Sequence, residues 1–285
     1  VSGHGSKPGT RAVGVLVPPA AWLTLLFLGP LCVVALISLM APGAPVEWTI
    51  DGSAYQRLLD PIYLGVLWRS LSLAVMATVV CLVLGYPLAY YIARRPPRFR
   101  RVLFFLVLVP LWTNSLVLIY GWMVMLRPNG AFDQLLQGLG FGGGEPLTIL
   151  YTPAAVILGL VYWYLPFMVY PLYASIEKLD FRLLEAARDL GAGGVAVLVR
   201  VLLPLTLPGI ATGCLLVFVE ALGAFVVPDL LGGAKSMMLG NLVQQRFLSV
   251  PQDWPMGAAA AMLMLALLLV GMLWASRVGG LRRGA

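Results

Sequence analysis

Long apolar runs separated by short polar connections are the dominant pattern of the chain. Six stretches, roughly 13–40, 66–93, 102–126, 152–175, 204–228 and 257–276, are each long enough to cross a bilayer as a helix. A crossing takes about 20 apolar residues, with every backbone group paired inside the helix. The pattern therefore predicts an all-α polytopic membrane protein. It has one six-helix domain over 13–276, with tails at 1–12 and 277–285. Pro30, Pro87, Pro110 and Pro166 fall inside predicted spans and mark expected kinks. The first run follows Lys7 and Arg11, as in a signal peptide, but outlasts a signal's apolar core of about 7–15 residues. It is expected to be an uncleaved span.

The polar connections set the orientation. Arg94-Arg95-Pro96-Pro97-Arg98-Phe99-Arg100-Arg101 holds five arginines and no acid. Lys178, Arg182, Arg188 and Arg200 lie in the connection after the fourth run, and Arg277, Arg282 and Arg283 follow the last run. The alternate connections hold only Arg57, Arg127, Lys235 and Arg246. Basic residues stay on the cytoplasmic side, so both termini, the arginine turn and the 176–203 connection are expected there. On the outer side, 53–59 is expected to form a short interfacial helix and 132–139 another, beside a loop with Gly138, Gly140, Gly142, Gly143 and Gly144. Residues 229–256 are expected to dip back toward the membrane.

Composition agrees with this class and narrows the chemistry. The chain is 60% hydrophobic and only 11% charged, against about 25% in soluble domains. Its net charge of +7 follows the topology and does not indicate nucleic acid. Cys32, Cys81 and Cys214 lie in apolar runs without metal-ligand spacing, and His4 is the single histidine. Metal chemistry and histidine acid–base catalysis have no constellation to use. Trp22, Trp163, Tyr164, Tyr170, Tyr173 and Trp274 fall near predicted interfaces and fit an aromatic belt.

One polar island stands apart. Glu185-Ala186-Ala187 is followed by three residues and Gly191, then nine residues and Val201, then Leu203-Pro204. Asp180 is placed to cap a helix starting at Phe181, and Gly191 suits the left-handed residue that ends one. Leu183, Leu184, Ala187 and Leu190 form an apolar stripe. Arg182, Glu185 and Arg188 share another face at pairing distance, and the alanines allow close approach. Pro204 suits a helix start where the chain re-enters the membrane. Charge and periodicity alone fit an ordinary cytoplasmic loop equally well; the full spacing points to a helix that docks on a partner in water.

That spacing resembles the coupling loop of permease subunits in bacterial ABC importers, and further strings are similar to the spermidine/putrescine type. These are Trp112-Thr113-Asn114-Ser115, Leu165-Pro166-Phe167 leading into Leu179-Asp180, Asp229-Leu230-Leu231-Gly232-Gly233, and Asp253-Trp254-Pro255-Met256-Gly257. The resemblance spans roughly 60–275 and implies the type I ABC importer permease fold in a bacterial inner membrane. It implies a homologous second permease, two ATPase subunits that carry ATP and Mg, and an extracytoplasmic substrate-binding protein. Each EAA helix would engage one ATPase. The chain has no G-x-x-x-x-G-K-[ST] phosphate loop of its own. Gly232-Gly233-Ala234-Lys235-Ser236 is a superficial echo on the outer side, so no cofactor is expected on this chain.

Polyamines are cations, and a pathway for them should offer carboxylates and aromatic faces. Trp112, Asn114, Tyr120, Glu220 and Asp229 are the candidates. Glu220, inside an apolar run, either meets cargo or forms a structural pair with Arg69 or with an arginine of the partner. Proline is common in relatives at its position, as arginine is at that of Leu118, so neither role carries over from the family. Another small organic solute is the alternative cargo. A self-sufficient secondary transporter would show an inverted repeat, and a membrane enzyme would need a catalytic cluster; the sequence displays neither.

Overall fold

In the computed structural model the backbone is described over residues 10–42, 47–140, 148–233 and 236–280. His4, Lys7, Gly142, Gly143, Gly144, Lys235, Arg282 and Arg283 lie outside the described residues, as do the side chains of Arg11, Trp274 and Arg277. Twelve α-helices are described: α1 Thr10–Ile37, α2 Ser53–Leu58, α3 Pro61–Ala93, α4 Pro97–Leu108, α5 Ser115–Leu126, α6 Ala131–Gly138, α7 Pro153–Glu177, α8 Arg182–Asp189, α9 Gly194–Val197, α10 Leu203–Gly223, α11 Leu239–Leu248 and α12 Trp254–Gly280. The expected short helices at 53–59 and 132–139 are α2 and α6. One element departs from the all-α expectation: strands β1 (Met40–Ala41) and β2 (Glu47–Ile50) pair antiparallel, with Met40 opposite Ile50.

The centre of the bundle is α3, α7 and α10, which pack on one another. Leu73, Ala77, Cys81, Leu160, Met168, Leu172 and Val217 are buried there. Small residues set the spacing. A Cβ on Gly209 would lie 2.5 Å from the Ser175 Cβ and 2.7 Å from the Pro171 carbonyl oxygen, and one on Gly213 would lie 2.8 Å from the Met168 sulfur. Gly209 and Gly213 form a G-x-x-x-G step that lets α10 lie directly against α7, as small residues do where no hydrophobic effect drives helices together. The outer faces carry large exposed apolar side chains, including Trp22, Phe27, Trp68, Val83 and Val117, as a bilayer-facing surface does. Tyr164 is not part of an aromatic belt: it is buried. Tyr173 packs its ring 4.9 Å from Phe104.

Among the described residues, four helices are long and apolar enough to cross a membrane: Pro61–Ala93, Pro153–Glu177, Gly194–Gly223 and Trp254–Leu273. The expected third span, 102–126, is not one straight helix. A 3₁₀ turn, Val109–Trp112, follows α4, and the chain bends by 91° before α5. Two local hydrogen bonds fix the break. Thr113 Oγ1 donates to the Pro110 carbonyl at 2.7 Å, and Asn114 Oδ1 accepts the Leu116 N–H at 2.9 Å. Asn114 is thus an N-cap, which satisfies an otherwise orphan donor. The continuously described part of α1, Ala21–Ile37, is apolar but shorter than a full crossing.

At one end, α2 and the start of α3 are tied to α11 and α12. Arg57 and Asp253 form an ion pair at 2.6 Å, Arg246 donates to the Tyr63 hydroxyl at 2.8 Å, and the Leu239 N–H donates to Ser70 Oγ at 2.8 Å. Burial alone would lower the Arg57 pKa, but the Asp253 carboxylate outweighs it and holds the guanidinium above its ordinary value. The segment expected to dip back contains a π-turn, Pro228–Gly232, and α11. At the opposite end, Arg100 pairs with Glu177 at 3.0 Å, which brings the arginine turn beside the exit of α7, where α8 begins.

Candidate coupling helix and pathway cavity

The polar island folds as an eight-residue helix, α8, with both ends closed as its residue types suggest. Asp180 Oδ1 accepts the Arg182 N–H at 3.0 Å, so the helix starts one residue later than expected, at Arg182. Gly191 has φ +84. Its N–H donates to Arg188 O at 2.8 Å, and the Ala192 N–H reaches back to Ala187 O at 3.1 Å. These two bonds are the Schellman pattern, in which a left-handed residue satisfies carbonyls that the helix end leaves open. A side chain at Gly191 would meet nothing within 4 Å, so only the backbone angle requires glycine there.

The apolar stripe divides in two. Leu184 is buried in a small core with Val197 and Leu202, against Tyr86, Tyr90, Ala187 and Val201. Leu183 and Leu190, expected on the same face, are instead 49% and 89% exposed. Arg182, Glu185, Ala186 and Arg188 are exposed with them. Among the described residues Glu185 forms no ion pair, so the expected pairing with Arg182 and Arg188 is absent. An inner leucine seats the helix on α3 and on the chain entering α10. The outer surface joins two unpartnered leucines, an alanine and a carboxylate. Leucines left exposed together on one short helix form an apolar patch that a partner surface can cover.

Pro204 lies in the first turn of α10, as its residue type suggests, but the helix does not begin afresh there. Helical backbone begins at Gly194, widens into a π-turn over Leu198–Leu202, and runs to Gly223 as one apolar helix. Pro204 lies two residues past the end of the π-turn. Its missing N–H and its ring are incompatible with a regular i to i−4 bond, and a π-turn absorbs the mismatch. Leu203 is half-buried at this junction. Thr206 fixes α10 to α3 just beyond it, through a 3.0 Å hydroxyl pair with Tyr86. The α8 helix therefore meets this continuous helix through the Leu184 contacts with Val197 and Leu202, across the turn at 190–193.

The pathway candidates are only partly assembled. A cavity of about 380 Å³ is lined by Ser115, Trp163, Tyr164, Glu220, Gly223 and Phe225, among others. Glu220 is exposed into this space and is in no ion pair among the described residues, so its structural pairing with Arg69 is not formed. Trp112, Asn114, Tyr120 and Asp229 are exposed but are not among the lining residues. Asn114 is committed to its cap, and Trp112 packs edge-on against Phe105 at 5.2 Å. Ser115, Trp163 and Tyr164 were not legible as site residues. The adjacency of Ser115 to the break at Asn114 is the signal that could have found it. One carboxylate, two aromatic faces and the carbonyl end of α10, which carries partial negative charge, suit a cation.

The sequence profile of the family described as "binding-protein-dependent transport system inner membrane component" matches residues 83–279. The chain is 49% identical over 251 residues to the spermidine/putrescine transport system permease protein PotB of Salmonella typhimurium (strain SL1344), covering 87% of this chain and 86% of that one. It is 48% identical to the protein of the same name from Escherichia coli (strain K12), covering 87% and 90%. Among solved structures, a chain of a bacterial alginate ABC transporter in complex with an alginate-bound periplasmic protein superposes with a TM-score of 0.74 at 17% identity, over 96% of this chain and 94% of that one. The protein has the type I ABC permease fold.

Proposed function

The chain belongs to the family of binding-protein-dependent transport system inner membrane components, and on that premise we propose that it forms half of the translocation pathway of an ATP-driven importer for polyamines or similar small organic cations. It is a transport subunit, not an enzyme. The exposed face of α8 carries the coupling role. Leu183, Glu185, Ala186 and Leu190 present a mixed apolar and charged surface at the end of the molecule where the arginine turn lies. In this reading that end is cytoplasmic, both termini lie there, α1 and the bent α4–α5 pair complete six spans, and each EAA helix engages one of two ATPase subunits. A homologous second permease closes the pathway, and an extracytoplasmic binding protein supplies cargo at the other end.

ATP and Mg belong on the ATPase subunits. Closure of those subunits displaces α8, and the rigid connection through Gly194–Gly223 passes the displacement to α10. Glu220 sits three residues before the end of that helix, so the motion reaches the cavity wall. The carboxylate, with Trp163 and Tyr164, would receive an ammonium group by charge and by the negative ring faces. The cargo class rests on the likeness to the two spermidine/putrescine permeases and on this cavity.

The test is uptake of labelled spermidine and putrescine into proteoliposomes that hold the assembled complex, with a neutral solute as control. Glu220→Gln is expected to raise the half-saturating polyamine concentration by about tenfold, the scale of one lost charge-assisted contact. Uptake of the neutral solute with none of either polyamine would overturn the cargo reading. An unchanged half-saturation would remove Glu220 from the pathway.

A further inference from the structure

The turn between α3 and α4 carries charge that neither coupling nor cargo recruits. Arg94, Arg95, Arg98 and Arg101 are all exposed. Arg100 is the member held by an acid, Glu177 at 3.0 Å; among the described residues no ion pair engages the other four. Four like charges at a single turn repel one another, and an anion supplied from outside relieves that cost.

The surroundings indicate the anion's class. Arg94 and Arg95, with Pro87, Tyr90 and Tyr91, line an open surface groove of about 500 Å³. The Arg95 guanidinium lies 4.1 Å from the centre of the Tyr91 ring, and Arg94 lies over Tyr90 while donating to its hydroxyl at 3.3 Å. The Arg95 guanidinium, and the Arg94 N–H groups not given to Tyr90, are left for an oxyanion, which binds such donors in pairs. A second, shallower surface groove, of about 350 Å³, joins Arg98 and Arg101 to Val102 and Phe105. Arg98 and Arg101 are three residues apart on α4, one above the other. Below them the same helix exposes Val102, Phe105 and Leu106, and Phe99 beside them is 68% exposed. Basic heads therefore stand on an apolar floor that continues along the helix into the bilayer.

We propose that this turn is a binding site for an anionic glycerophospholipid. Its phosphate sits between the stacked Arg94–Arg95 pair and the Arg98–Arg101 pair, and its acyl chains lie along Val102, Phe105 and Leu106. A soluble acidic protein would not need the exposed apolar floor. A zwitterionic lipid would bring its own cation against four arginines. The site rests on α3 and α4 crossing the membrane and does not depend on the identity of the cargo. Because Arg100 is bonded to Glu177 at the exit of α7, a lipid held here also steadies the segment from which α8 hangs.

The test is native mass spectrometry of the whole assembled transporter, released from nanodiscs that hold equal amounts of diphosphatidylglycerol and phosphatidylcholine. The wild-type complex is expected to retain the anionic lipid at least tenfold over the zwitterionic one. Arg95→Gln/Arg98→Gln leaves three arginines to hold the topology. It should lower retention by about thirtyfold, from roughly fivefold for each charge near an anionic surface. Co-purification of the ATPase subunits with the variant reports that it is folded and inserted. Should the variant not assemble, the wild-type preference decides alone, and it must fall as salt rises. Equal retention of both lipids by the wild type, retention unchanged in an assembled variant, or displacement of the lipid by a soluble acidic protein would overturn the proposal.

Discussion

Gly191 and Gly194 allow the seating of the coupling helix to be tested with two matched substitutions. Both glycines face open space, with nothing within 4 Å of an added Cβ. Only Gly191 has a positive φ, +84; Gly194 is the first residue of α9. Gly191→Ala therefore adds no clash but forces an L-residue into the left-handed region, at roughly 1–2 kcal/mol. Gly194→Ala replaces a residue that loses the most chain entropy in a helix, and gains roughly 0.5–1 kcal/mol. The strain at residue 191 falls on the bonds from Gly191 N–H to Arg188 O and from Ala192 N–H to Ala187 O. Hydrogen exchange of α8 in the purified complex reads this directly. Opening of the helix should become about five- to thirtyfold more frequent in Gly191→Ala, with unchanged or slower exchange in Gly194→Ala. Polyamine-stimulated ATP hydrolysis should fall in the first variant only. Equal exchange in the two variants would refute the backbone argument, because space and chemistry are the same at both positions.

Three further substitutions test the packing. Leu184→Ala empties the small core under α8. It should cost about 2–5 kcal/mol locally and release α8 to proteolysis, whereas Leu183→Ala should leave that resistance intact. Gly209→Ala places a methyl 2.7 Å from the Pro171 carbonyl oxygen, which cannot retreat. An overpacking cost of about 1–3 kcal/mol should lower the melting temperature in detergent, while Gly121→Ala, which meets nothing within 4 Å, should not. Asp253→Ala removes the 2.6 Å pair with Arg57 and the carboxylate that accepts the Met256 N–H at 3.3 Å. A loss of roughly 1–2 kcal/mol should appear as faster exchange at the start of α12, and the ion-pair share of it should shrink in high salt.

Hydropathy made the long helices legible because a crossing helix is apolar on every side, whatever its neighbours. It missed the break at Thr113 and Asn114 because averaging over about 20 residues hides two polar side chains whose effect is local. Asn114, read from the sequence as a pathway group, also caps a helix, a role that asparagine favours for its short acceptor. The ends of α8 were readable from Asp180 and Gly191, since caps depend on residue type more than on tertiary context. Which leucines face inward was not readable. A helix of eight residues has too few turns to define a face, and the entry of α9 decides it. Gly209 and Gly213 carry a G-x-x-x-G signal for the close approach of α10 and α7. The Tyr86–Thr206 pair joins residues 120 apart in sequence, and no local pattern announces such a contact.

The central claim is that the outer face of α8 transmits ATPase motion to a polyamine pathway. The most direct measurement is ATP hydrolysis by the reconstituted four-part complex, titrated with spermidine in the presence of its binding protein. Glu185→Arg reverses a charge that is exposed on α8 and in no ion pair among the described residues, so the fold should survive. The account predicts stimulation by spermidine in the wild type and its loss in Glu185→Arg, with the permease still inserted and α8 still protected from exchange. Stimulation that persists at the wild-type level in Glu185→Arg would contradict it.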